Sequence, residues 1–390
     1  MKTVTLSVAY MPLVDAAPLI VARELGFAEA EGLTLDLVAA PSWSSVRDML
    51  AFGRVDAAHL LSPVPIAMAL GLGGVSTAIS AVSVLSVNGN VIGVGKSMEA
   101  RLRAMGYGFD FADADLAAKA LAACLEGGLT IGVPFPFSMH VELLQYWFAA
   151  TPLADAAVSI RTIPPPLMAE ALASGEIDAF CVGEPWGSVS VDRGAGALLL
   201  PGRAIWAFAP EKVLAVRADW AETEPHLLGR LMRAVWRAGR WLDQPDSRIA
   251  AAELLSRKAY LDVGPELIDR ALSGQLTVTD AGDQRGVSGF LIFSRGSASF
   301  PWRSQAKWVG ERLAQRYGLD RASAIDAASG VFRSDLYRRA LADAGADLPG
   351  ASEKLEGTIR HPTAVASASG RVILEPDGFC DGQIFDPSAV

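Results

Sequence analysis

Apolar and polar side chains alternate at the start of the chain, where Val4, Leu6 and Val8 share one face of an expected strand. Residues 33–40 (LTLDLVAA) alternate in the same way. Residues 43–53 (WSSVRDMLAFG) switch to helical spacing that stops at Gly53, and 55–61 (VDAAHLL) return to a strand-like run. The same order reappears downstream as a strand at 129–135, a helix through 140–150, a strand at 158–163 and a helix at 167–175. Such alternation of β and α units predicts a largely parallel sheet with helices on both faces. Long helical patterns at 226–243 and 302–318 are expected to return to the first half and cover it.

The two stretches also resemble each other residue by residue. Residues 50–57 (LAFGRVDA) match 172–179 (LASGEIDA) at an offset of 122, and the same offset carries Pro63 onto Pro185. Met11-Pro12 after one strand corresponds to Phe135-Pro136 after another. This period far exceeds the roughly 20–50 residues of solenoid repeats, so two α/β lobes of like topology are expected. Ligands of such proteins sit in the cleft between lobes, at strand carboxyl ends and helix N-termini. The first lobe is assigned to 1–87 and the second to 88–205. Residues 206–390 are expected to return to the first lobe and to add C-terminal helices and a tail, with 86–95 and 204–216 as extended connections.

With 390 residues, 51% of them apolar and only 20% charged, the chain can bury two real cores. The net charge of −9 and the lack of a basic run argue against direct nucleic-acid binding, which needs clustered Lys and Arg. The overall field repels anions, so an anion site must be local and built from a few aimed donors. Cys124, Cys181 and Cys380 lie far apart without metal or disulfide spacing, and an odd cysteine count favours a reducing compartment. The start of the chain reads as a strand rather than a secretory signal, and no apolar window approaches the ~18 residues of a membrane span. A cytoplasmic protein without membrane association is expected.

Most motifs that suggest catalysis fail on spacing. Gly93-Val94-Gly95-Lys96-Ser97 resembles a phosphate loop, but Asn90 stands where the pattern demands a glycine. His59, His140, His226 and His361 are scattered without zinc-ligand spacing, so no metal is expected. Glu184, in CVGEPWG, corresponds in the repeat to Ser62 and reads as a lobe–lobe or hinge hydrogen-bonding group. What remains is a set of donors at strand–helix junctions: Trp43 at a helix start, His140 where PFPFSM meets a helix, and Lys212 in the second lobe connection. Each alone also fits an ordinary packing or solvated role, and their shared placement is what marks them.

At these residues the chain resembles the nitrate-binding proteins of the nitrate/sulfonate/taurine class of solute-binding proteins. The resemblance runs through AYMPLVDAAPL (9–19), PSWSSVRDMLAFGRVDAAHLLSPVP (41–65), NGN (88–90), FPFSMH (135–140), PPP (164–166), LASGEIDAFCVGEPW (172–186) and the tail EGTIRH…DGFCDGQIFDPS. It implies the two-lobed periplasmic-binding-protein fold of type II, no enzymatic activity, no catalytic residue and no cofactor. By position it implies a ligand site of Trp43, Asn90, His140, Gly183 and Lys212, with Asn90 replacing a frequent glutamine and reaching one methylene less far. Lys212 favours nitrate, since bicarbonate-binding relatives look acidic there. Because the chain starts at its first strand, it looks most like the cytoplasmic nitrate/nitrite sensor of the NasS type, which releases an RNA-binding antiterminator of the NasT type when the anion binds. The alternatives are the binding component of an ABC importer and an enzyme on the same fold, as in thiamine-pyrimidine biosynthesis. Lys212→Glu is expected to abolish anion binding with the fold intact.

Overall fold

The computed structural model describes residues 3–346, 348–368, 370 and 372–389. Among these, the strands that position the site form two sheets. In the first, β1 (Val4–Tyr10) lies parallel between β2 (Leu33–Ala39) and β3 (Ala57–Leu61). Beyond β3 come β10 (Pro210–Arg217), β4 (Ile79–Asn88) and a short edge strand β13 (Leu291–Ile292). In the second, β6 (Leu129–Val133) lies parallel between β7 (Val158–Thr162) and β8 (Ala179–Gly183), followed by β5 (Asn90–Gly95) and β9 (Gly196–Pro201). A small ribbon, β11 (Gln275–Thr277) with β12 (Gln284–Gly286), stands apart from both.

Apart from the edge strand β13, the order is the same in both sheets, and so are its fastenings. Asp56 accepts from the backbone N–H of Ser7, and its own N–H donates to the Ser7 carbonyl. Asp178 and Thr130 repeat both bonds. Gly53 and Gly175, the residues that end the two matched helices, both have positive φ, 68° and 76°, which favours glycine there.

The sheets are mixed rather than largely parallel. β10 runs antiparallel to β3 and β4, and β5 runs antiparallel to β8 and β9. These are the strands by which the chain arrives from the other sheet. It enters at the cleft end, opposite to a strand fed by a helix, so it must run against its neighbours. The segments expected as connections are therefore largely sheet: only Gly89 separates β4 from β5, and Lys212 sits inside β10.

Three features fasten one sheet's domain to the other. Val14 N donates to the Glu184 carbonyl at 2.9 Å, and Trp186 Nε1 donates to the Pro12 carbonyl at 3.0 Å. The helix Arg303–Tyr317 packs on Pro63–Ala69 beside the first sheet, while its Arg316 reaches the second lobe, 3.0 Å from Glu142 and bonded to the Pro136 carbonyl. The tail then crosses the return segment: Ala207 N donates to Gly378 O, Cys380 N donates to Ile205 O, and Trp206 stacks on Phe379. Lys354, inserted between Glu356 and Asp377, anchors that tail internally. No helix among the described residues is long and apolar enough to cross a membrane.

Candidate functional site

The carboxyl ends of β1, β3 and β8 and the N-termini of two helices converge where the lobes meet. Ser42 accepts from Ser45 N and starts the helix Trp43–Ala51, so Trp43 is its first residue. Ser138 accepts from Val141 N and starts Met139–Ala149, which places His140 in its first turn.

Lys212 stands at the centre with no exposure to solvent. Its Nζ lies 2.8 Å from Asp15 Oδ2 and 2.8 Å from Glu211 Oε1, and 5.4 Å from the centre of the Trp43 ring. Consecutive residues on a regular strand point to opposite faces, so Glu211 and Lys212 would ordinarily be separated. The pairing of β10 with β4 is irregular on both sides of Lys212, between Pro210 and Lys212 and again between Lys212 and Val213. This bulge turns both side chains into one cluster.

The remaining groups close around them. His59 Nδ1 accepts from Met11 N, which leaves the proton on Nε2, 2.9 Å from Asp15 Oδ1. Asn90 Nδ2 donates to Glu211 Oε2 at 2.7 Å. His140 Nδ1 stands 3.4 Å from Glu211 Oε1, off the line of a hydrogen bond. A methyl group at Gly183 would sit 2.7 Å from Leu13, 3.6 Å from Asp15 Oδ2 and 4.0 Å from His140 Nε2, so the glycine admits the close approach of its strand to this cluster. Among the described residues, Trp43 Nε1 and both ring nitrogens of His140 are buried without a hydrogen-bond partner.

Burial opposes charge on all of these side chains, and their neighbours decide the outcome. At Asp15, Lys212 and His59 outweigh burial and hold the carboxyl well below its usual range. At Lys212 the two carboxylates outweigh it and raise the ammonium. At Glu211 burial prevails over the attraction of Lys212, Asp15 adds to it, and the carboxyl is raised. Burial lowers His59, and burial together with the charge of Lys212 takes His140 well below its ordinary value. Lys212 is thus the cation of the cluster, and His140 is a neutral donor.

All five residues singled out in the sequence, Trp43, Asn90, His140, Gly183 and Lys212, are buried at this junction. Asp15, His59 and Glu211 were missed. Their signal was a charged or polar residue inside an apolar run, in PLVDAAPL, AAHLL and FAPEKVLAV, where burial obliges pairing. The Gly93–Ser97 segment serves packing and the surface: a methyl on Gly93 would lie 2.3 Å from the Phe180 ring, and Lys96 pairs with Glu99 and Asp280. Glu184 fastens the lobes through its backbone carbonyl, while its carboxylate accepts from Ser188 N. A cavity of about 620 Å³ lies elsewhere, beside Pro225–Leu242, where Arg233 is committed to Glu31 and Arg230 to the carbonyls of Glu31 and Gly32.

This arrangement offers one ammonium, unpartnered neutral N–H donors and a strand held close by glycine. It can hold a small polar group that accepts hydrogen bonds. Residues 1–256 match the NMT1-like family. The nitrate/nitrite binding protein NrtA of Synechococcus elongatus is 32% identical over 99% of this chain and 84% of its own length. The nitrate import ATP-binding protein NrtC of Synechocystis sp. is 32% identical over 87% of this chain, which spans 50% of that longer protein. The crystal structure of the periplasmic nitrate-binding protein NrtA from Synechocystis PCC 6803 superposes with a TM-score of 0.83 at 26% identity, covering 99% of this chain and 96% of that one. The fold is the two-lobed periplasmic-binding-protein type.

Proposed function

Because the chain belongs to the NMT1-like family and is a relative of the nitrate-binding solute-binding proteins within it, we propose that it binds nitrate or nitrite in the inter-lobe cleft. The observation that carries this reading is the burial of Lys212 beside unpartnered donors on both sides of the junction, Trp43 Nε1 in the first lobe and His140 in the second. Nitrate has only acceptor oxygens and no apolar body, so a site for it needs donors and charge. The groups that would touch it are Trp43, Asn90, His140, Gly183 and Lys212.

The reading extends to a cytoplasmic sensor whose ligand-free form holds an RNA-binding antiterminator of the NasT type and whose nitrate-bound form releases it. The motif resemblance and the acidic chain support this, since the RNA contact then belongs to the partner. A ligand that bridges both lobes favours the closed form, and a partner that prefers the open form is linked to it reciprocally. The names of the relatives favour a second reading, the binding component of a nitrate importer.

Titration calorimetry with nitrate, nitrite, bicarbonate and taurine tests the ligand. One nitrate per chain and much weaker taurine support the proposal, and equal heats for the two would overturn it. Co-purification with the antiterminator, followed by size exclusion with and without nitrate, tests the sensor. A complex indifferent to nitrate transfers the reading to transport.

A further inference from the structure

We propose that Glu211 takes up a proton when the anion enters, so that its carboxyl is a selector between anions that only accept hydrogen bonds and anions that also donate one. This rests on the reading of the Lys212 junction as the anion site. The observation behind it is a conflict built into that junction. An anion held by Lys212 and His140 must lie beside Glu211 Oε1, which is itself 2.8 Å from Lys212 Nζ and 3.4 Å from His140 Nδ1. Two negative groups sharing one buried ammonium repel each other strongly. Protonation removes the repulsion and converts Glu211 from a competing acceptor into an O–H donor aimed at the same place.

The surroundings of Glu211 allow that step. Its Oε2 is held by Asn90 Nδ2, so the proton goes to Oε1, the oxygen that shares Lys212 with the ligand. The ionisable groups that face it are Lys212 beside it on β10, Asp15 after β1, His59 on β3, His140 in the helix after β6 and Cys181 on β8. Asp15 is clamped by both Lys212 and His59 and keeps its charge, and the buried Cys181 thiol is raised well above its ordinary value and stays neutral. Burial already raises Glu211. Of the carboxyls here it is the one placed to accept a proton from the buffer, one H⁺ added to COO⁻ to give COOH.

The chemical consequence is selectivity. Nitrate and nitrite carry no proton to offer and require the protonated form. An anion with its own O–H, such as bicarbonate, matches the ionised form by donating to Oε1. Rising pH therefore moves the site away from nitrate.

Calorimetry of nitrate binding to the whole chain, repeated at pH 8 in buffers of different ionisation enthalpy, reads the proton directly. The expected slope of observed heat against buffer enthalpy approaches one proton taken up. The nitrate affinity should fall toward tenfold per pH unit once the free carboxyl is ionised. Glu211→Gln, which keeps the shape and supplies a permanent N–H donor, should bring the slope to zero and flatten the affinity profile. Wild-type binding with zero proton slope would overturn the inference while leaving the nitrate reading in place. No anion heat in any buffer would overturn both.

Discussion

Asn90 donates to Glu211 across 2.7 Å, and each residue lies on the strand by which the chain enters its sheet from the other lobe. The site is therefore built on the crossings themselves, so any rotation of one lobe against the other acts on the groups around Lys212.

Lys212 is too deeply paired for charge reversal to leave the fold intact, contrary to the expectation from sequence. Lys212→Glu would place three carboxyls together, and Lys212→Met would leave Asp15 and Glu211 buried without their cation. Removing one partner of a buried ion pair costs about 3–5 kcal/mol. We expect Lys212→Met to lose nitrate binding and to unfold at lower denaturant at pH 7.5, with part of the loss recovered near pH 5 as the carboxyls protonate. Unfolding unchanged at pH 7.5 would contradict the pairing.

His140→Ala should weaken nitrate binding by about 0.5–1.5 kcal/mol, the worth of one neutral hydrogen bond. Burial and Lys212 hold this imidazole neutral, so the ratio of wild-type to variant affinity should not change between pH 6 and 8. A ratio that grows severalfold toward pH 6 would mean that the ring is protonated in the complex.

Arg316 reaches from a helix packed on the first lobe to Glu142 and Pro136 in the second. Its removal in Arg316→Ala should favour opening. Loss of about 1.5 kcal/mol of charge-assisted bonding corresponds to a little over tenfold in dissociation constant. Stopped-flow displacement should place most of the change in the off-rate, and an unchanged off-rate would show that the lobes do not part there.

Glu184 supplies the clearest pH dependence of stability. Burial pushes its carboxyl up to about 7, above its ordinary value in the unfolded chain. Its favourable contribution is present below about pH 4.5 and is lost as pH rises to about 7, by roughly 3 kcal/mol. The lowered imidazoles of His59 and His140 pull the other way below about pH 6.5, so wild-type stability should peak on the acid side of neutrality. Denaturant unfolding of Glu184→Gln should show a shallower alkaline decline than wild type, the remainder belonging to the buried Glu142 and Glu211, which burial also raises. Parallel profiles from pH 5 to 8 would contradict a buried acid.

Asp56→Asn and Asp178→Asn should destabilise the chain by similar amounts, roughly 1–3 kcal/mol each, because both carboxylates accept from the same position of the first parallel strand in their sheets. Lying in different sheets, the losses should add within about 0.5 kcal/mol in the double variant.

That repeat was legible in sequence because it rests on residues with few substitutes: a glycine at positive φ and an aspartate with a defined backbone partner. The strands and helices around it followed from periodicity for the same reason. Strand direction did not, since hydrophobic spacing reads the same in either sense, and so β5 and β10 were taken for connections. The donors of the site lay at junctions that the topology marks. Its carboxylates showed only as charges inside apolar runs, and the meeting of Glu211 with its neighbour Lys212 rests on a bulge that leaves no pattern in the sequence.

The tail that lies over Ile205 and Ala207 acts as a splint on the return crossing. Both sheets are complete without it, so its loss would change the stiffness of the joint rather than the inventory of the site. Opening and closing can then be tuned by substitutions around Phe379 and Asp377, which contact Trp206 and Lys354. Part of the joint's mechanical compliance is thus set by a segment that supplies no group to the Lys212 cluster.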